Sequence, residues 1–320
     1  MSKFFEALEQ AERDRTLREQ SVRQEPAVED TEMPGENASA TVLPARPAER
    51  ERAEPAAPAR RDSRAEGFLR STTALDWEPV GQVDDHLVSL LTPTAFGAEQ
   101  YRAIRHVIEE QHKNGALTVV AISSPGLDEG KTTTAINLAG ALAQAPAARV
   151  LLVEADLRRP SVMRYLGLDG VHTPGLVDVI LKPGASLDSA VRVCAPFNLD
   201  VLPAGEAPSA TYEVLKSPRL GELLDQARRR YDYVIVDTPP LCPIPDGRVV
   251  AKWVDGVLLV VAAHKTPRKL VEEALELLPA PPIGIVFNGD DHRGPQYYPG
   301  YARAEEPGRW MRLWGRWNGR

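Results

Sequence analysis

Residues 123–134 read Ser-Ser-Pro-Gly-Leu-Asp-Glu-Gly-Lys-Thr-Thr-Thr, and what surrounds them sets the fold. An apolar run, residues 117–122, leads in, and a helix-forming run, residues 134–143, leads out. Strand, glycine-bearing loop and helix in that order frame a phosphate-binding P-loop. Loop N–H groups can turn toward phosphate oxygens, and the helix N-terminus adds positive potential. Lys131 would reach the β- and γ-phosphates, and the Thr132 hydroxyl would ligate Mg²⁺. The loop residues assigned to ATP are therefore Gly126, Asp128, Glu129, Gly130, Lys131, Thr132 and Thr133. The pattern departs from the usual one in that Pro125 stands where the first glycine normally falls, with Gly126 after it.

Two further segments end in carboxylates. Arg149-Val-Leu-Leu-Val-Glu-Ala-Asp156-Leu-Arg158-Arg159-Pro160 is one, and Tyr233-Val-Ile-Val-Asp237-Thr-Pro-Pro240 is the other. Near-continuous β-branched and leucine runs read as parallel strands covered on both faces. Ligands of open α/β sheets sit beyond the carboxyl ends of the strands, so Glu154, Asp156 and Asp237 are expected to converge near Lys131. Thr132, Asp156 and Asp237 form an oxygen set suited to Mg²⁺ shared with phosphates.

The chain has 320 residues, 43% of them hydrophobic, enough for one substantial domain with extra segments. Cys194 and Cys242 have neither metal-site nor redox spacing, which suits a reducing compartment. The N-terminus is charged rather than leader-like, and no apolar run approaches the ~20 residues that span a bilayer. A cytoplasmic protein is expected. A net charge of −7 argues against nonspecific nucleic-acid binding as its purpose.

Residues 1–20 read as a short charged helix, and residues 21–85 as a Pro/Ala/Glu/Arg-rich linker. That composition buries too little apolar surface to order itself. The folded domain is placed at residues 86–289. Strands are expected at 117–123, 149–155, 199–204, 233–237, 256–262 and 283–288. Helices are expected at 94–113, 131–144, 160–167, 175–182, 218–230, 245–253 and 267–278. This alternation implies an α/β fold of three layers, a mostly parallel sheet between helices. Residues 290–320 form a tail with Tyr297, Tyr298 and Tyr301 close together. Its end places Trp310, Leu313, Trp314 and Trp317 at helical spacing among arginines, a pattern that could touch a membrane surface, the domain or a partner.

The three nucleotide motifs, in this order, resemble those of the bacterial tyrosine kinases of exopolysaccharide and capsule synthesis, in their stand-alone form. The resemblance runs over roughly residues 95–301. Ser124-Pro125-Gly126 with Glu129-Gly130-Lys131-Thr132 is similar to that family's Walker A, proline included. Glu154-Ala-Asp156-Leu-Arg158 resembles its second acidic motif, and Val234-Ile-Val-Asp237-Thr-Pro-Pro its Walker B. The resemblance implies a deviant P-loop fold, like that of the septum-positioning ATPases, and ATP-dependent phosphorylation of tyrosine. Asn288 resembles the residue that contacts adenine in related ATPases. The three tail tyrosines resemble the family's autophosphorylated cluster. Glu99, Arg102 and Arg105 resemble its oligomerisation motif, which implies a ring where one protomer's tail enters the next protomer's site. On spacing alone, that trio is also a solvated helix face with internal ion pairs. The implied partner is a membrane chain-length or co-polymerase protein on a separate chain, recruiting the kinase to the inner face of the plasma membrane. Met-Ser-Lys-Phe-Phe-Glu-Ala-Leu-Glu-Gln resembles the start of members linked to exosortase-type loci.

One departure bears on the chemistry. The family usually has Asp where this chain has Glu154, and there the position is the base that takes the tyrosine proton. Arg158 would either steady transferred charge or anchor the acidic loop. Two other classes stay open: a non-kinase ATPase of the partition and septum-positioning type, and a nucleotide-binding adaptor of polysaccharide assembly.

Overall fold

The structure, a computed structural model, describes residues 81–289 apart from residues 116 and 169–172. The expectations for residues 1–80, for the tail tyrosines and for the Trp/Arg stretch lie outside the described residues.

Seven strands of the described residues make one sheet: β1 Val119–Ser123, β2 Val150–Glu154, β3 Arg192–Cys194, β4 Leu199–Leu202, β5 Tyr233–Asp237, β6 Gly256–Ala262 and β7 Gly284–Asn288. Their order across the sheet is β3-β4-β2-β5-β1-β6-β7. Every neighbouring pair is parallel except β3 with β4. Among the described residues, ten α-helices accompany them: α1 Val88–Leu91, α2 Phe96–Lys113, α3 Lys131–Ala143, α4 Val162–Tyr165, α5 Leu176–Leu181, α6 Leu187–Ala190, α7 Thr211–Lys216, α8 Pro218–Arg230, α9 Asp246–Val250 and α10 Arg268–Leu277.

Strand parity sorts side chains into two layers. Val120, Ile122, Leu152 and Ile235 face α2, α3 and α4, packing on Ile108, Ile136, Leu138 and Val162. Leu151, Val153, Val234 and Val236 face the opposite way, onto Leu176, Leu215, Leu220 and Leu224. Ala121, Leu259 and Val261 pack on Ala274 of α10. The β2 run Val-Leu-Leu-Val-Glu is buried throughout, as a strand covered on both faces must be.

The three-layer, mostly parallel architecture matches the expectation from sequence. The differences are local. Arg192–Cys194 is an antiparallel edge strand too short to show a period, and α1, α6 and α7 are four to six residues long. The described residues begin at 81, ahead of residue 86. The Gly81 amide donates to the Gly167 carbonyl at 2.8 Å and the Asp84 amide to the Tyr165 carbonyl at 2.9 Å, so this end of the expected linker is pinned.

Candidate active site

Parity decides which carboxylates reach the P-loop. Asp237 closes β5 on the same face as Ile235, and Glu154 closes β2 on the same face as Leu152; that is the α3 face. The two are register partners on adjacent strands. α3 starts at Lys131, so its first turn stands over both. The Thr132 hydroxyl donates to Asp237 Oδ2 at 2.8 Å. Lys131 Nζ lies 2.9 Å from Asp156 Oδ2. The structure thus brings Lys131, Thr132, Glu154, Asp156 and Asp237 together at the carboxyl edge of the sheet.

Burial sets the electrostatics here. Asp237 is 0% exposed and its Oδ1 has no hydrogen-bond partner. Burial pushes its carboxyl up to about 7, with Lys131 and Thr132 pulling the other way. A buried acceptor oxygen left open beside Thr132 and Asp156 is what a hard divalent cation would complete, so this donor set fits Mg²⁺.

Glu154 is 1% exposed, and burial raises its pKa. Its Oε1 accepts from the amides of Ser161 and Val162, the latter at 2.6 Å, and its Oε2 from the Ala204 amide at 3.2 Å. The extra methylene relative to Asp gives the reach to hold the chain on either side. Arg158 anchors the acidic loop in this structure: its Nε donates to Asp246 Oδ2 at 2.7 Å and its Nη2 to Asp246 Oδ1 at 3.3 Å.

In the loop itself, the Glu129 carboxylate turns inward, accepting from the Gly126 amide at 2.9 Å. Its side chain therefore braces the loop. Asp128 adopts a left-handed φ of 56°, where glycine is the low-cost residue. Lys265 Nζ caps the Asp128 carbonyl at 3.0 Å. Asn288 Nδ2 donates to the Glu129 carbonyl at 3.1 Å. That approach requires Gly130, because a Cβ there would sit 1.8 Å from Asn288 Nδ2. A cavity of about 440 Å³ opens beside these residues, lined by Asp128, Glu129, Gly130, Ala263, Lys265 and Asn288. Gly126 is buried at the loop's start and Thr133 partly exposed in the first turn of α3.

Sequence reading missed Asp246, Ser161 and Lys265. Each lies in a loop or at a helix end with no motif of its own, and topology alone brings it to the site. The trio on α2 is engaged within the chain. Arg102 pairs with Glu99 and the Pro93 carbonyl, while Arg105 donates to Glu109 at 2.6 Å and to the Ala141 carbonyl at 2.8 Å. Cys194 and Cys242 are free. Among the described residues, no helix is long and apolar enough to cross a membrane.

A P-loop at the head of α3, a second acidic loop after β2 and an aspartate ending β5 define a P-loop nucleotide-binding protein. The family model described as AAA domain matches residues 118–251. The tyrosine-protein kinase YwqD of Bacillus subtilis is 36% identical over 207 residues, 64% of this chain and 86% of that protein. The succinoglycan biosynthesis transport protein ExoP of Rhizobium meliloti is 33% identical over 224 residues, 67% of this chain but 28% of that longer protein. Among solved structures, the kinase domain of the Escherichia coli tyrosine kinase ETK superposes with a TM-score of 0.60 at 27% identity, covering 63% of this chain and 79% of that one. The chain belongs to the bacterial tyrosine-protein kinase family. These relatives do not favour the partition-type ATPase alternative.

Proposed function

We propose that the chain transfers the γ-phosphoryl group of ATP to tyrosines of its own C-terminal segment, in trans within an oligomer, and so regulates polymerisation and export of an exopolysaccharide or capsule. The observation that carries this is the Lys131–Asp156 and Thr132–Asp237 pairing beside the P-loop, in a chain of the tyrosine kinase family. The bond between the γ-phosphorus and its bridging oxygen breaks, one forms between that phosphorus and the tyrosine oxygen, and ADP leaves. Such transition states are loose, so positioning and charge neutralisation do most of the work. Lys131 and the loop amides hold phosphate oxygens, and Asn288, which lines the cavity beside the loop, is the proposed contact to the base. Thr132, Asp156 and Asp237 would hold Mg²⁺, whose charge neutralises the phosphates and favours transfer. The tyrosine proton goes to a carboxylate of the cluster. Glu154 Oε2, with its single 3.2 Å contact, is the oxygen of that side chain with capacity to spare.

Tyr297, Tyr298 and Tyr301 are the proposed acceptors, and Glu99, Arg102 and Arg105 the proposed subunit contact. The proposed partner is a membrane co-polymerase on a separate chain, which would bring the kinase to the membrane's inner face. The test is mass spectrometry of the tail after incubation with Mg²⁺·ATP and the partner's cytoplasmic segments, with EDTA as control. Phosphotyrosine at those positions in the Mg²⁺ sample supports the reading; ATP turnover with unmodified tyrosines would overturn it.

Glu154→Gln separates two roles. It keeps the shape but sets an amide donor against one of three backbone N–H groups. An unsatisfied buried donor of that kind costs ~1–3 kcal/mol, a fall of roughly 2–12 °C in Tm for a domain this size. The transfer rate should fall about 10²-fold as well. Unchanged melting alongside a lost rate would make Glu154 a base and nothing more.

A further inference from the structure

Asp246 is the first residue of α9 and is 0% exposed. It takes no part in the nucleotide contacts described above. A buried carboxylate is costly unless paired, and a salt bridge is a poor source of stability. Its partner, Arg158, is 45% exposed at the side chain, which weakens a stability purpose further. What the pair does supply is geometry. Arg158 meets Asp246 through two parallel N–H donors, and the Thr211 hydroxyl at the start of α7 approaches the same Oδ2 at 3.4 Å. Bidentate guanidinium–carboxylate contacts fix orientation as well as distance.

Arg158 lies two residues after Asp156. On the other side of Asp156, the Ala155 amide donates to the Asp237 carbonyl at 2.8 Å. Asp156 Oδ1 accepts from the Arg159 amide at 3.2 Å and Oδ2 meets Lys131. The acidic loop is therefore held to β5 before Asp156 and to α9 after it. We propose that Asp246 is a positioning residue for the transfer site: through Arg158 it fixes residues 155–159, and so sets where the Asp156 carboxylate stands relative to Lys131. The inference rests on the nucleotide-binding reading of that site. Of the two roles left open for Arg158, it takes the anchoring of the loop.

The test uses Asp246→Asn, Arg158→Met and the double variant in the full chain, with Thr211→Val as a milder change to the same cluster. Three quantities are read: affinity for a fluorescent ADP analogue with and without Mg²⁺, the rate of tail phosphorylation, and the melting temperature. Without Mg²⁺, each variant should bind the analogue within about twofold of the unaltered chain, because Lys131 and the loop amides are intact. The Mg²⁺-dependent gain in affinity should shrink, and kcat should fall about 10²-fold, as expected when a catalytic group moves by ~1 Å. The double variant should be no worse than either single one, since both break the same link. An intact Mg²⁺ gain and kcat in Asp246→Asn would overturn the proposal. So would effects that multiply in the double variant, or a loss of Mg²⁺-free affinity that tracks the melting temperature in all four. If the unaltered chain transfers no phosphate, the kinase reading fails separately, and the Mg²⁺ dependence of analogue binding still decides the role of Asp246.

Discussion

Asp237→Asn is expected to give a protein that melts higher in EDTA and transfers phosphate at least 10²-fold more slowly. Both effects have one origin. Asp237 is fully buried, beside Glu154 and Asp156, with one oxygen lacking any hydrogen-bond partner. Without a cation that arrangement is unfavourable, and burial lifts its pKa to about 7. The folded protein therefore holds this proton far more tightly than the unfolded chain, where an aspartate titrates near ~3.9. The stability gained from that proton is complete below about pH 4 and is lost as pH rises through 7. Between pH 6 and pH 8 the metal-free protein should lose on the order of 1 kcal/mol from this group, or roughly 2–4 °C in Tm. Glu154, raised by burial as well, adds to the slope in the same direction. Asparagine removes the titrating group but keeps an oxygen for Thr132, so the slope should flatten and the melt at pH 8 should rise. The variant also lacks the anionic ligand that the transfer reaction needs, which costs at least what removal of one electrostatic contact costs elsewhere, about 10²–10³-fold. Melts in EDTA at three pH values, with initial rates in Mg²⁺, check both halves. A variant that melts lower at pH 8 would show the carboxylate to be paired better than its surroundings indicate.

This opposition between stability and activity explains why the site was so legible in the sequence. Residues that break local rules tend to mark function. A strand such as Val-Leu-Leu-Val-Glu or Val-Ile-Val-Asp should not end in a buried charge unless something pairs with it; three backbone amides take Glu154, and the Thr132 hydroxyl with the nearby Lys131 charge takes Asp237. Parallel strands, P-loop and helix followed from period and order alone. The α/β alternation was long and strongly patterned, so its elements emerged within a few residues of where they were expected.

What sequence could not give was long-range placement. Asp246 sits in Ile-Pro-Asp-Gly, which locally is only a turn, yet the crossing from β5 to α9 brings it against Arg158. Glu154 shows the limit differently. The sequence told that a carboxylate stood at the strand end, but its three amide partners come from residues seven, eight and fifty positions away. Glu129 resembles a nucleotide contact by motif, and only the backbone path of the loop turns its carboxylate back onto Gly126. The edge strand Arg192–Cys194 has three residues, too few for any period to register.

Lys131→Met should abolish transfer for a second reason and move stability the opposite way from Asp237→Asn. Lys131 is largely buried against Asp156, with 12% and 3% of the two side chains exposed. Methionine fills the volume but leaves Asp156, Asp237 and Glu154 clustered without the ammonium between them. Breaking a buried pair from one side costs ~3–5 kcal/mol. The raised pKa values of Glu154 and Asp237 hold the loss to the low end, because both can take up a proton. About 3 kcal/mol corresponds to a Tm lower by roughly 6–12 °C, and the drop should be smaller at pH 6 than at pH 8. The rate should fall roughly 10²–10³-fold, the cost of one missing donor to the phosphates. The double variant Lys131→Met with Asp237→Asn then becomes the decisive comparison. If the cluster is held together by charge balance, removing one charge of each sign should recover most of the lost stability while activity stays absent. If the double variant melts as low as Lys131→Met alone, the lysine stabilises the P-loop by packing its methylenes, and the carboxylates at the strand ends are tolerated for some reason other than its charge.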